Sequence, residues 1–344
     1  MHAHPDDETI GTGATMAHYA ASGAHVTLVT CTLGEEGEVL VPALSLLAAE
    51  QADQLGGWRI GELDRAMAEL GVTDHRFLGG AGRFRDSGMM GTPANGKPRA
   101  FWRAAEDPSV FDAAVAALVE VIREVRPQVV ISYDDVGGYG HPDHIMAHRV
   151  ATAAVSAAAS ARASARVSAG ASARVRPGPG GQPWAVSKFY WIVMPRSAAR
   201  QQLAALRADP MPFEVPGSID DLGFVVDDEL VTTVLHAPEQ LAAKSRALAA
   251  HATQITVAGS FFALSNNRGQ QVRATEYFRL VHGKPGGPQD ADGRETDLFG
   301  GIELSGDGEL SGGTGAFSGS RLSGGTRAFG GSGLFGGTGE FDPA

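Results

Sequence analysis

Two short, largely apolar runs, Val26-Thr27-Leu28-Val29-Thr30 and Val129-Val130-Ile131-Ser132-Tyr133, do not alternate between polar and apolar residues. A strand that is apolar on both faces must be covered on both faces, and parallel sheets flanked by helices do this. Helix-length segments separate the two runs. Residues 8–22 carry Ile10, Ala14, Ala17 and Ala21 near helical spacing, and Gly23 stops them. Residues 45–70 read as a helix broken near Gly56-Gly57, and Arg76-Phe77-Leu78 as a short strand. Residues 109–125 repeat Val115, Leu118, Val119 and Ile122 on one face, and Pro127 ends them. A further helix starts at about residue 143. This alternation predicts an α/β fold: a doubly wound, mostly parallel, Rossmann-like sheet with helices on both faces.

The rest of the chain divides by composition. Residues 1–152 form the predicted core. Residues 153–183 are Ala/Ser/Arg-rich and then Gly/Pro-rich, and read as a flexible insertion, helical at its start. Residues 184–302 resume with strands at 184–194 and 231–235 and a helix from Pro238 to about His251, a smaller C-terminal α/β portion. Residues 303–344 hold irregular Gly-rich repeats with too little apolar mass for a core, and read as a disordered tail. A net charge of −11 argues against a nucleic-acid partner held by a basic surface. The single cysteine, Cys31, excludes an intramolecular disulfide and, at the end of an apolar run, reads as a buried structural thiol. No apolar stretch reaches the roughly 18–20 residues of a membrane helix, and no signal peptide is apparent. These features predict a soluble, cytoplasmic protein.

Chemistry concentrates in two polar runs, His4-Pro5-Asp6-Asp7-Glu8 and His141-Pro142-Asp143-His144. Hydrolytic zinc takes imidazole nitrogen and carboxylate oxygen and keeps one position for water. His4, Asp7 and His144 would give two nitrogens and one oxygen, leaving Asp6 to take a proton from that water. His148, four residues after His144, makes a rival ligand pair on a helix; His2 and His25 have no such context. The second run follows the C-terminal end of a predicted strand, where open α/β sheets bind ligands. The first should also follow a strand, yet Met1 lies only three residues before His4. Either the start codon is placed too late or the first strand is missing; a missing central strand would leave its neighbours with unpaired backbone groups. No GxGxxG or P-loop pattern follows a strand, which argues against a nucleotide-binding module.

These two runs resemble the LmbE/PIG-L family of zinc-dependent N-deacetylases. Further stretches resemble its mycothiol-biosynthesis branch: TCTLGEEGEV at 30–39, EQADQLGGWRIGEL at 50–63, LGGAGRFRDSGM at 78–89 and GGYGHPDH at 137–144. The likeness covers most of residues 1–150 and resumes across about 184–302. It implies removal of acetate from an N-acetylglucosaminyl-inositol, a small amino-sugar substrate. The sister activity on mycothiol S-conjugates and a non-catalytic sugar-binding module are the alternatives. By resemblance one Zn2+ per subunit is held by His4, Asp7 and His144, with Fe2+ accepted by the same donors. Asp6 is then the general base. His141 acts as proton donor or as a cation stabilising the oxyanion, and Asp143 orients it. Tyr139, on a Gly-Gly-Tyr-Gly loop, polarises the amide carbonyl. Arg59 and Asp86 pair with vicinal sugar hydroxyls, Glu38 is a third contact, and Met89 lines the acetyl pocket.

Overall fold

The computed structural model describes residues 1–160, 181–219 and 225–303. In chain order, helix α1 (Asp7–Ala21) leads to strand β1 (Thr27–Thr30), α2 (Leu55–Leu70) to β2 (Asp74–Phe77), and α3 (Pro108–Val125) to β3 (Val129–Ser132). A single turn, α4 (Gly137–Gly140), precedes α5 (Pro142–Ala158). The C-terminal half contributes β4 (Lys188–Pro195), α6 (Arg196–Ala208), β5 (Val225–Val226), β6 (Thr233–His236), α7 (Leu241–Ala250), β7 (Thr256–Ala258), β8 (Phe261–Ala263), β9 (Gln270–Gln271) and β10 (Thr275–His282).

The N-terminal strands pair in parallel. Thr27 of β1 lies opposite Asp74 of β2, and Val129 of β3 opposite Lys188 of β4. Along the path β3-β4-β10-β6 the pairing turns antiparallel beyond β4, while the short β5 pairs β4 in parallel. Strands β7 to β9 form a separate antiparallel sheet. Residues 1–3 take the place where a strand seemed missing. His2 donates its N–H to Val29 (2.9 Å) and accepts from Cys31 (2.9 Å), while the Met1 amine donates to the Ile131 carbonyl (2.8 Å). Three residues thus satisfy backbone groups of both β1 and β3, correcting the expectation that these neighbours are left unpaired.

Successive residues of β1 show why helices lie on both faces. Side chains alternate along a strand. Leu28 packs with Met16 and Ala17 of α1, Leu63, Ala66, Met67 and Leu70 of α2, and Ala247 of α7. Val29 packs with Leu118, Val119 and Ile122 of α3 and Met146, Ala147 and Val150 of α5. The α3 residues named are those of the predicted stripe. Among the described residues, no helix is long and apolar enough to cross a membrane.

Two local expectations change. Gly56 and Gly57 do not break a helix; they sit in the first turn of α2, and residues 42–47 form a separate 3-10 helix. Gly56 is needed for a close approach: a Cβ there would lie 2.7 Å from Glu35 Cγ and 2.9 Å from Leu33 Cβ. Helix α5 continues to Ala158, into the segment read as an insertion. The reading of that insertion over 161–180, and of the tail over 304–344, lies outside the described residues.

Candidate metal and catalytic site

Both polar runs occupy the same end of the sheet. The first leaves residues 1–3 and enters α1; the second leaves β3 through α4 and enters α5. In parallel sheets this end forms the ligand crevice. Pro142 opens α5, where its missing N–H is no loss, and His141 is the N-cap, with Nδ1 accepting from the Asp143 N–H at 3.1 Å. Since Nδ1 accepts, neutral His141 carries its proton on Nε2. Burial, with His4 and His144 close by, holds its pKa well below the usual value. A neutral ring bonded in this way offers Nε2–H as a donor.

Asp7 Oδ2 is the meeting point of the site. It lies 3.2 Å from His4 Nδ1 and 3.2 Å from His144 Nε2. His144 Nε2 is buried and has no hydrogen-bond partner. Donors placed tetrahedrally about 2.0–2.1 Å from zinc stand about 3.3 Å apart, so these separations and this unpartnered nitrogen fit a metal ion. Carboxylates surround these donors. Burial alone would lower the His4 pKa, but Asp86, Asp143 and Asp7 around it raise it well above the usual value. Burial alone would raise the Asp7 pKa, but His144 and His4 hold it well below the carboxylate range.

Among the described residues, the donor sets whose ligand atoms all lie within 4.8 Å of one another are His4, His141 and His144, and His4, Asp86 and Asp143; His4 and His144 meet instead through Asp7 Oδ2. Several of their atoms already have hydrogen-bond partners. His141 Nδ1 caps α5, and the two Asp86 oxygens accept from Gly88 N (2.8 Å) and Glu36 N (3.2 Å). Asp143 does not orient His141 with its carboxylate, correcting the expectation. It is fully buried, and its Oδ2 takes His4 Nε2 (3.1 Å) and the Ser87 N–H (2.9 Å). The first turn of α5 aims this side chain across to His4, making the carboxylate–imidazole pair that fixes a metal-binding histidine's orientation.

Asp6 is the second centre. It caps α1 with φ 115° and ψ −35°, a conformation disfavoured for any residue with a side chain. Its Oδ2 accepts from the Arg59 guanidinium at 3.0 Å. Burial pushes its pKa up to about 6, against the pull of Arg59. A carboxylate there is largely ionised at neutral pH and still basic enough to accept a proton.

The predicted sugar contacts separate. Arg59 is buried, and its terminal nitrogens serve the Gly34 carbonyl (2.8 Å), the Pro5 carbonyl and Asp6. It is not paired with Asp86, whose Oδ1 lies 3.5 Å from His4 Nε2. Glu38 is exposed, and its carbonyl accepts from Gln254. Met89 is also exposed. Tyr139 is 48% exposed and stands edge-on to His144, with centroids 4.9 Å apart. Gly137 and Gly138, at φ 67° and 68°, make the turn that carries it there.

His148 is engaged elsewhere: Nδ1 bonds the Tyr133 carbonyl (3.1 Å) and the ring packs on Trp191. His2 is a buried residue bonded to Thr12 (2.9 Å). His25 pairs with Asp74. Sequence reasoning missed Tyr133, which stacks on His144 at 4.2 Å, and also Glu8 and His251, a fully buried pair joined at 2.9 Å. Glu8 belonged to the first polar run; nothing in the sequence singled out His251.

Residues 1–155 match the family described as PIG-L: GlcNAc-PI de-N-acetylase. A protein of Geodermatophilus obscurus named 1D-myo-inositol 2-acetamido-2-deoxy-alpha-D-glucopyranoside deacetylase is 60% identical over 88% of this chain and 96% of its own length. One of the same name from Acidothermus cellulolyticus is 54% identical over 91% of this chain and 98% of its own. Among solved structures, N,N'-diacetylchitobiose deacetylase from Pyrococcus horikoshii aligns with a TM-score of 0.46 and 17% identity, over 73% of this chain and 68% of that one.

Proposed function

The chain belongs to the PIG-L (LmbE) family, and from that premise we propose that it hydrolyses the acetamide of N-acetylglucosaminyl-inositol, releasing acetate and the free amine for mycothiol biosynthesis. The observation that carries this reading is Asp7 Oδ2 at 3.2 Å from two histidine nitrogens, next to an Asp6 carboxyl whose pKa is about 6. His4, Asp7 and His144 would hold one divalent cation, with zinc as the expected ion and iron(II) accepted by the same donors. When bound, the cation lowers the pKa of a water molecule and polarises the amide carbonyl.

The protein's own residues supply the remaining steps. Asp6 removes the proton from the attacking water. His141 presents Nε2–H toward the reacting carbon's substituents, and Tyr139 brings a hydroxyl donor over the same histidines. The protonated Asp6 or His141 then delivers a proton to the departing amine. Asp143 holds the His4 ring through Nε2. Asp86, with Met89 and Glu38 on the rim, is assigned to the sugar and acetyl group. Arg59 is assigned to the Asp6 carboxylate, which it touches. The buried Cys31, whose pKa burial pushes up, suits a reducing cytoplasm.

Acetate release tests this reading. Protein stripped of metal and reloaded with zinc or iron(II) should deacetylate N-acetylglucosaminyl-inositol faster than free N-acetylglucosamine. It should cleave a mycothiol S-conjugate more slowly than the acetylated disaccharide. No acetate from either sugar with metal-loaded protein refutes the activity, and a faster S-conjugate moves the assignment to the amidase.

A further inference from the structure

The strained backbone of Asp6 is held by something. Its carbonyl takes the N–H groups of Thr9 and Ile10, each at 3.0 Å, as an N-cap carbonyl does. Its own N–H, turned by the positive φ, points instead to Glu8 Oε2 at 2.8 Å. Glu8 is fully buried one residue past a proposed metal ligand, yet it faces away from the metal donors. Its Oε1 takes the Thr9 hydroxyl (2.6 Å) and His251 Nε2 (2.9 Å).

His251 is also fully buried. It ends α7, and its carbonyl accepts from Gln254 and Ile255, both at 2.9 Å, so a tight turn places the ring. A pair serving only to lock α1 onto α7 would leave its second oxygen to either helix. Here that oxygen reaches back to the one N–H that the Asp6 conformation turns inward.

We propose that Glu8 and His251 form a positioning pair for Asp6, in which the C-terminal half, through His251, keeps the carboxylate aimed at the reacting water. The inference rests on Asp6 acting as the base. Without the pair, Asp6 relaxes toward the extended backbone usual at an N-cap. Its side chain then swings away from Arg59 and from the donors that flank it. Glu8 and His251 are both fully buried, so they act through Asp6.

The test is a set of double-mutant cycles on the full-length, metal-loaded chain. Glu8→Gln and His251→Leu are each made in the natural protein and in the Asp6→Asn background, with His251→Gln as the conservative rescue. Positioning predicts that each single substitution lowers kcat about 10–100-fold, the range for residues that orient metal-site groups, while KM and bound metal stay unchanged. His251→Gln recovers most of the loss. In the Asp6→Asn background the same substitutions change the residual rate less than about twofold, because the group they act through is already disabled.

Equal losses in both backgrounds overturn the proposal, as does a rise in KM that matches the fall in kcat, or loss of metal. Glu8→Gln keeps the size of the side chain and an oxygen for the Asp6 N–H, so it carries the test if His251→Leu fails to fold. A natural protein that releases no acetate sinks the deacetylase reading. Turnover with fully additive cycles sinks only the positioning role.

Discussion

Arg59→Met separates two roles for a residue that the sequence places on the sugar and the structure places on the base. The guanidinium is buried and bonds Asp6 Oδ2 at 3.0 Å, the Gly34 carbonyl at 2.8 Å and the Pro5 carbonyl. A cation this close favours an ionised carboxylate and lowers its pKa by about 1–3 units. Asp6 stands at about 6 with Arg59 present. Removing the cation therefore moves it upward, to roughly 7–9. At pH 7 the ionised fraction falls from about nine-tenths to between about one half and one hundredth, so kcat/KM drops roughly 2–100-fold and recovers as pH rises. A bound cation lowers the pKa in both proteins, so the quantity to measure is the separation of the two acid limbs. Two buried carbonyls also lose a donor, each costing about 1–3 kcal/mol, so the variant should melt at a lower temperature. The assay is initial acetate release by metal-loaded protein from about pH 5 to 10, with a thermal melt alongside. Superimposed acid limbs with a raised KM would refute the argument and return Arg59 to the sugar.

Three further outcomes follow from the site and its support. His144→Ala should lose bound metal while His148→Ala keeps it, by elemental analysis after dialysis; full occupancy in His144→Ala would reject the ligand set. Asp6→Asn should keep its metal and lose about 10²–10⁴-fold in turnover, as a missing general base does; near-normal acetate release would remove Asp6 from that role. Lys244 bonds the Ile10 carbonyl (2.9 Å) and Glu276 (2.7 Å), while Glu276 also takes the N–H groups of Ala14 and Thr15 in α1. Lys244→Met should destabilise by about 3–5 kcal/mol because Glu276 keeps a buried, unpaired charge, and adding Glu276→Gln should restore much of it. An unchanged denaturation midpoint in Lys244→Met would show the pair to be dispensable.

Much of this molecule is local information. The spacing of Val115, Leu118, Val119 and Ile122 declares one buried face, and α3 forms over those residues and buries Leu118, Val119 and Ile122. The apolar runs become β1 and β3, because unalternated strands need cover on both faces. The two polar runs name a nitrogen–oxygen donor set by residue type alone, and the parallel sheet brings them to one crevice. Which partner each side chain chooses is another matter. Asp143 faces His4 across 139 positions, His251 reaches Glu8 across 243, and Arg59 ends on Asp6 across 53. The antiparallel entry of β10 beside β4, and the seating of residues 1–3 between β1 and β3, are choices of the same kind. Periodicity tells which face of an element is buried, but hydrogen-bond partners depend on where two remote elements stop and how each side chain leans. Those are set only when the sheet order and the packing of α1, α5 and α7 are in place.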